Sequence, residues 1–442
     1  MAVTSIPIEA SPAARRYETP LRGLLHPGLP FFVMAMLPLF WALGLGYFTF
    51  VIAAVPMLFG LLLIHPIRIP KGYGWWIGFM VWTLLSAIML EPSLNRYLSY
   101  SSRALAHIAA GIIFLYIYNL PTKYLPTGRI LAVCGGLFLF TAVVGGYLGL
   151  ILGETRLSTP FSQLLPQSML SNSFVENIVR PPYAQRQDFL GFPLNRPAMP
   201  FSFTNDWGAT LVPGTFLAIA AAGRAGRARR FMPVLALLAV VPMIVSVNRG
   251  LWLSLMLGVA YVVVRQASAG QLLLAIRLSV VVLFVGVVIA VSPLAGLIED
   301  RATTSHSVGT RGELYTDVLE RLPESPILGF GAPLANPDPT APAIGTHGMF
   351  WTALFSQGVP GLIFYVGFWV SMAVRTGRNI RSQEHLWLHL AVASAIPTMF
   401  FYDHLPAALP LMMIAAAVIL RDRRAGDIER AHLAEQSLAV AP

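Results

Sequence analysis

Three segments set a charged or titratable side chain beside a helix breaker: Asn248-Arg249-Gly250, Arg311-Gly312-Glu313 and Thr346-His347-Gly348. A guanidinium is always charged and grips phosphate oxygens two at a time. An imidazole trades a proton near neutral pH. On one aqueous side, such groups could hold a polyanion and move a proton. A fourth segment, Arg196-Pro197-Ala198-Met199-Pro200 running on to Asp206-Trp207, adds another arginine at the edge of an apolar run. A loop-to-helix cap at Asn205 or Asp206 accounts for part of it.

Each segment implies an element that must position it. Residues 231–264 are almost continuously apolar apart from Asn248-Arg249-Gly250. A single helix there would be about 51 Å long at about 1.5 Å per residue, well beyond a hydrocarbon core of about 30 Å. The chain must therefore break and turn at Arg249, which sits at the membrane surface. An arginine that only snorkels to the interface has the same sequence.

After Arg311, the residues Leu314, Val318, Leu319 and Leu322 recur at helical spacing until Pro323 ends the run. The spacing predicts an external amphipathic helix with Arg311 at its start, where a cation opposes the dipole. A solvated charge or a pair with Glu313 are the plainer readings. His347 falls at the start of an apolar helix that breaks at Gly358-Val359-Pro360-Gly361. The positive dipole end disfavours imidazolium and welcomes an anion, although a capping histidine fits the same position. Glu313 and Asp317 are further candidate acids or bases. That every external base is arginine carries no weight, because the whole chain has 30 Lys and Arg of which only Lys71 and Lys123 are lysine.

The surroundings are membrane. The 442 residues are 56% hydrophobic and 11% charged, where a soluble domain carries about 25% charged residues. Twelve apolar runs have roughly the length of a span: 29–45, 46–64, 74–91, 103–120, 130–152, 207–223, 231–247, 251–265, 278–297, 358–374, 386–402 and 405–420. The fold expected is an all-α polytopic membrane protein of about twelve transmembrane helices. A tail (1–28) precedes one membrane domain (29–420), and a polar tail (421–442) without chemistry follows it.

With both termini cytoplasmic, 20 of the 30 Lys and Arg fall inside and 13 of the 20 acids outside, as the positive-inside rule requires. The net charge of +10 is then a topology signal for membrane lipid and no sign of nucleic acid. The segment before the first run, with Pro7, Pro12 and Pro20, lacks the layout of a cleaved signal peptide. Two long external loops, 153–206 and 298–346, lack strand alternation and are expected to be irregular, with short helices capping an external cavity. Cys134 is the single cysteine, so neither an internal disulfide nor a thiolate metal cluster is expected.

These segments, in this order, resemble the bacterial O-antigen ligase and polymerase family of membrane glycosyltransferases. The likeness covers roughly 190–375. It rests on Ser202–Ala209 before a span, Asn248-Arg249-Gly250 between spans, and Arg311 ahead of Pro326-Ile327-Leu328-Gly329-Phe330-Gly331. His347 then precedes Phe355-Ser356-Gln357-Gly358-Val359-Pro360-Gly361-Leu362. The resemblance implies a C-type glycosyltransferase-like fold in the bacterial inner membrane with its active site on the periplasmic face.

It further implies a polyprenyl-diphosphate-linked glycan donor, a lipid or glycan acceptor, and neither a cofactor nor a metal. Arg249 and Arg311, with Arg196 as an addition, would bind the donor diphosphate, and His347 would be catalytic. The sequence departs from the usual pattern in carrying Gly348, where asparagine commonly follows the histidine.

Two alternatives stand beside a ligase-like enzyme. A polymerase of the same family would join two lipid-linked repeats. A secondary transporter or lipid flippase also fits a twelve-span layout, but such proteins place ionisable groups within spans. Here His107 and His389 are the main titratable groups expected inside, and the halves do not match as repeats would.

Overall fold

A computed structural model describes residues 26–440 other than 65, 188–192, 274–275, 277–278, 281–305 and 337–341. The expected span at 278–297 and the N-terminal tail up to residue 25 lie outside the described residues. The chain is mostly helical, 72%, with little sheet, which agrees with the expected class.

The principal helices are α1 (Leu29–Ala35), α2 (Leu37–Leu43), α3 (Thr49–Leu62), α4 (Gly74–Ser86), α5 (Leu94–Asn119) and α6 (Thr127–Leu152). They continue with α7 (Thr204–Gly223), α8 (Met232–Val245), α9 (Arg249–Ser268), α10 (His306–Arg321), α11 (Met349–Gly377), α12 (Gln383–Ala393) and α13 (Ala408–Val440). Among the described residues, 5 helices are long and apolar enough to cross a membrane: α5, α6, the stretch Gly226–Val245 that contains α8, α9 and α11.

Of the other expected runs, 207–223 lies in the 20-residue α7 and 405–420 mostly in α13, while others are shorter or broken, for local reasons. The 29–45 run splits at Met36 because Pro38 has no N–H to continue the ladder. The 386–402 run ends as Gln383–Ala393 and Ala395–Thr398, after which the chain leaves the helix.

The bundle packs around α13, whose residues from Ala408 to Ile419 are all buried. A helix that is apolar all round belongs at a centre, and α13 lies against α5, α7 and α12. In contrast, α8 exposes Val234, Leu237 and Val240, as a helix facing lipid should.

One end of the bundle gathers the basic clusters. Arg224 pairs with Glu384 at 2.5 Å, Asn119 bonds both backbone groups of Arg68, and Arg421 bonds Leu125 O and Thr127 Oγ1. The segments holding Arg196, Asn248-Arg249 and His347 precede the opposite ends of α7, α9 and α11.

The first long loop contains short helices at Pro160–Leu164, Gln167–Leu170 and Ser173–Val179. It also forms an antiparallel hairpin, β1 (Ala184–Gln187) with β2 (Leu194–Pro197), pairing Gln185 with Arg196. The hairpin departs from the irregular loop expected. Four residues per strand are too few for an alternation pattern to show.

Candidate active site

The motif carrying Gly358 is a structural joint. Gly358 has φ 69 and ψ −173 inside α11, so the helix breaks there, as the sequence predicts. Pro360 has no N–H, and the Val359 amide turns aside to Pro326 O. The carbonyls of Phe355 and Ser356 thereby lose their partners within the helix, and the amides of Phe330 and Gly331 take their place at 2.9 and 2.8 Å. The Pro326–Gly331 segment is thus a plug fitted to a broken helix. Arg96, 7% exposed, locks it by donating to the carbonyls of Phe330, Ala332 and Pro333.

The plug fixes α10, which precedes it. Val318, Ile344, Leu354 and Phe355 form a separate apolar cluster between α10 and α11. Tyr315 stacks on Trp351 with ring centroids 4.2 Å apart at 11°, a contact of about 0.5–1.5 kcal/mol beyond area. Its hydroxyl lies 3.1 Å from His347 O and 3.3 Å from Phe400 O.

Helix α10 already runs at His306, so Arg311 is in its interior and not at its start. The reading that its charge opposes the helix dipole is therefore corrected. Arg311 is one turn before Tyr315, on the same helix face; its side chain lies outside the described residues. Glu313 and Asp317 each stand two residues from Tyr315, about 200° around the helix, and Glu313 is exposed.

His347 adopts φ 67 just before α11. Its Nδ1 is 2.9 Å from Thr346 Oγ1, and that hydroxyl donates to Ala343 O at 2.5 Å. A hydroxyl has one proton. Because it goes to Ala343, Nδ1 must carry the hydrogen and the neutral ring's lone pair falls on Nε2.

The expectation that the following helix offers its first amides to an anion is corrected. The N–H groups of Met349 and Phe350 bond Tyr402 O and Met399 O, both at 2.8 Å. Gly348 also has a local reason: a Cβ there would lie 2.6 Å from Phe400 O.

On the other side, the chain breaks between α8 and α9 as expected, and Arg249 opens α9 half-buried. Val247 has φ 47, a genuine outlier for a β-branched residue. Val247 and His347 are the two non-glycine residues of positive φ among the described residues. Such strain, about 1–3 kcal/mol each, persists where surrounding structure enforces it and concentrates at functional sites.

Arg196 is 4% exposed and donates to Ser246 O and Gln187 Oε1, both at 2.7 Å. It buttresses the turn before Arg249. Thr204 Oγ1 donates to Arg196 O, and Asn248 Nδ2 donates to Thr204 O.

The segment Met399–His404 closes the circuit and is the part the sequence reading missed. The Tyr402 hydroxyl donates to Asn248 Oδ1, and Phe400 O also accepts from Trp351 Nε1. Asp403 pairs with Arg103 at the edge of the bundle. Burial raises the Asp403 carboxyl, but the Arg103 guanidinium outweighs it and leaves the group below its ordinary value. His404, fully buried, lies between Tyr365 and Thr398, adding a titratable group to the expected His107 and His389. The signal was available: Tyr402-Asp403-His404 interrupts two apolar runs.

A continuous hydrogen-bonded path thus joins Arg196, Thr204, Asn248, Tyr402, the start of α11 beside His347, and Tyr315 of the Arg311 helix. Among the described residues, no group of three or more His, Cys, Asp or Glu side chains could hold a metal ion.

Residues 214–366 match the family model described as O-antigen ligase. That match supports the O-antigen ligase/polymerase family and covers Arg249, Arg311 and His347. No curated protein matches the chain. The family suggests a membrane glycosyltransferase of the ligase or polymerase type, acting on lipid-linked glycan in a membrane.

Proposed function

We propose that the chain transfers a glycan from a polyprenyl-diphosphate carrier to an acceptor hydroxyl, in the manner of an O-antigen ligase. The observation that carries this reading is the hydrogen-bonded path linking the arginine-bearing turn, the arginine-bearing helix and the His347 segment. The acceptor oxygen attacks the anomeric carbon of the donor while the bond from that carbon to the diphosphate oxygen breaks. His347 Nε2 takes the hydroxyl proton, and the polyprenyl diphosphate leaves with the electron pair.

Charge grows on the leaving diphosphate, so fixed guanidinium groups at Arg249 and Arg311 favour the transition state over the ground state. Arg196, bonded to Ser246 and Gln187, supports the Arg249 turn. His347 is the base preferred over Glu313 and Asp317, which lie around the helix from Tyr315. The basic clusters at the opposite end of the bundle support a periplasmic-facing site in the bacterial inner membrane.

Purified chain in proteoliposomes, given a polyprenyl-diphosphate-linked oligosaccharide and a glycan acceptor, should release the carrier and glycosylate the acceptor. His347→Ala should reduce turnover about 10²–10⁴-fold; unchanged turnover would refute the assignment. Polymer formed from donor alone would move the reaction to the polymerase branch.

A further inference from the structure

We infer that Tyr402 is a positioning residue that holds the two halves of the candidate site in register. The inference rests on the transfer reaction proposed above and adds a part outside the stretch that matches the family.

Tyr402 is 2% exposed and bonds to both halves with different atoms. Its hydroxyl donates to Asn248 Oδ1, the residue before Arg249. Its carbonyl accepts from Met349 N, two residues after His347. Asn248 is itself 3% exposed and tied to Thr204 O, so its amide cannot drift without leaving a buried polar group unpaired, a costly loss. Space around the hydroxyl is reserved, since a Cβ at Gly250 would come within 2.7 Å of it.

The segment bearing Tyr402 is anchored independently. Asp403 pairs with Arg103 of α5, and its Oδ1 accepts from Leu405 N. Thr398 holds the His404 ring from the side opposite Tyr365. The strap is thereby fastened to α5 and α11, and the two halves of the candidate site are fastened to the strap. Removing the hydroxyl alone should loosen Arg249 while the carbonyl bond keeps His347 in place.

The test uses full-length protein with a polyprenyl-diphosphate-linked oligosaccharide as donor. Four proteins are compared: wild type, Tyr402→Phe, Asn248→Ala and the double variant. Tyr402→Phe should lower kcat about tenfold to a hundredfold with donor KM nearly unchanged, the signature of a misplaced transition-state group. The double variant should be no worse than the poorer single one, because the two changes break one link. Tyr73→Phe, which removes another buried hydroxyl, one that donates to Gly111 O away from the strap and the site, should keep kcat per folded molecule.

Full kcat in Tyr402→Phe, or losses that multiply in the double variant, would overturn the positioning role and leave the transfer reaction standing. If wild type transfers nothing, the reaction fails by itself. The thermal midpoints of the four proteins in detergent then judge the link, additive losses overturning it and non-additive losses upholding it.

Discussion

Arginines at the two ends of the bundle do different work. At the basic end, Arg224 pairs with Glu384 while 51% exposed, and Arg227, Arg229 and Arg230 are exposed. At the other end, Arg96 and Arg196 are 7% and 4% exposed and donate to backbone carbonyls or a side-chain amide. An exposed guanidinium is solvated and adds charge to a surface. A buried one persists only where its hydrogen bonds are satisfied, so it defines a geometry. Charge count identifies the first kind, and only contacts identify the second. Arg421 shows that the division is one of burial and not of end: it is 1% exposed at the basic end and bonds Leu125 O and Thr127 Oγ1.

The strongest way to break the comparison is to remove a guanidinium assigned to the reaction. Arg249→Ala and Arg311→Ala should each raise the barrier by about 2–4 kcal/mol, on the scale of a lost oxyanion donor. Lysine at either position should restore little, because it lacks the planar fork. Single-turnover rates with saturating donor provide the measurement. A lysine variant with near-normal turnover would reduce these arginines to surface charge like that around Arg227.

A smaller effect is expected where arginine shapes the fold without meeting substrate. Arg96→Met should destabilise the protein by about 3 kcal/mol, since the carbonyls of Phe330, Ala332 and Pro333 lose their donor. Hydrogen exchange should accelerate in the Pro326–Gly331 plug first and in α10 next. Protection left unchanged there would show that the amides of Phe330 and Gly331 suffice to seat the plug.

Much of this architecture was legible in the sequence because it follows from composition and helix breakers. The turn at Asn248, the break at Gly358 and the amphipathic helix before Pro323 all rest on local steric rules, and all three are present. The helical turns before Arg311 were not legible, because His306-Ser307-Val308-Gly309 lacks the periodicity that marks a helix. Arg311 therefore moved from the first turn to the interior.

The strap at Met399–His404 was missed for a different reason. Its role lies in contacts with residues about 50 to 150 positions away, such as Met349 and Asn248, and no local pattern encodes these. Arg96 and Arg103 likewise carry no local signal, because their partners Phe330 and Asp403 lie far along the chain.

The smallest expected effect concerns the loop between α7 and α8. Arg227, Arg229 and Arg230 are exposed, and Arg230 lies over the Phe231 ring at 4.8 Å, an arrangement suited to the headgroup region. Their combined attraction to anionic lipid, about 1 kcal/mol per residue, acts on insertion and orientation and not on a reaction at the other end of α7. Replacing all three with glutamine should leave kcat per correctly inserted molecule within about twofold while lowering the correctly oriented fraction. Protease accessibility in sealed vesicles reads the orientation, and carrier release reads the turnover. A large fall in kcat among correctly oriented molecules would show that the exposed arginines also take part in the reaction, and the distinction between charge that orients and charge that reacts would not hold.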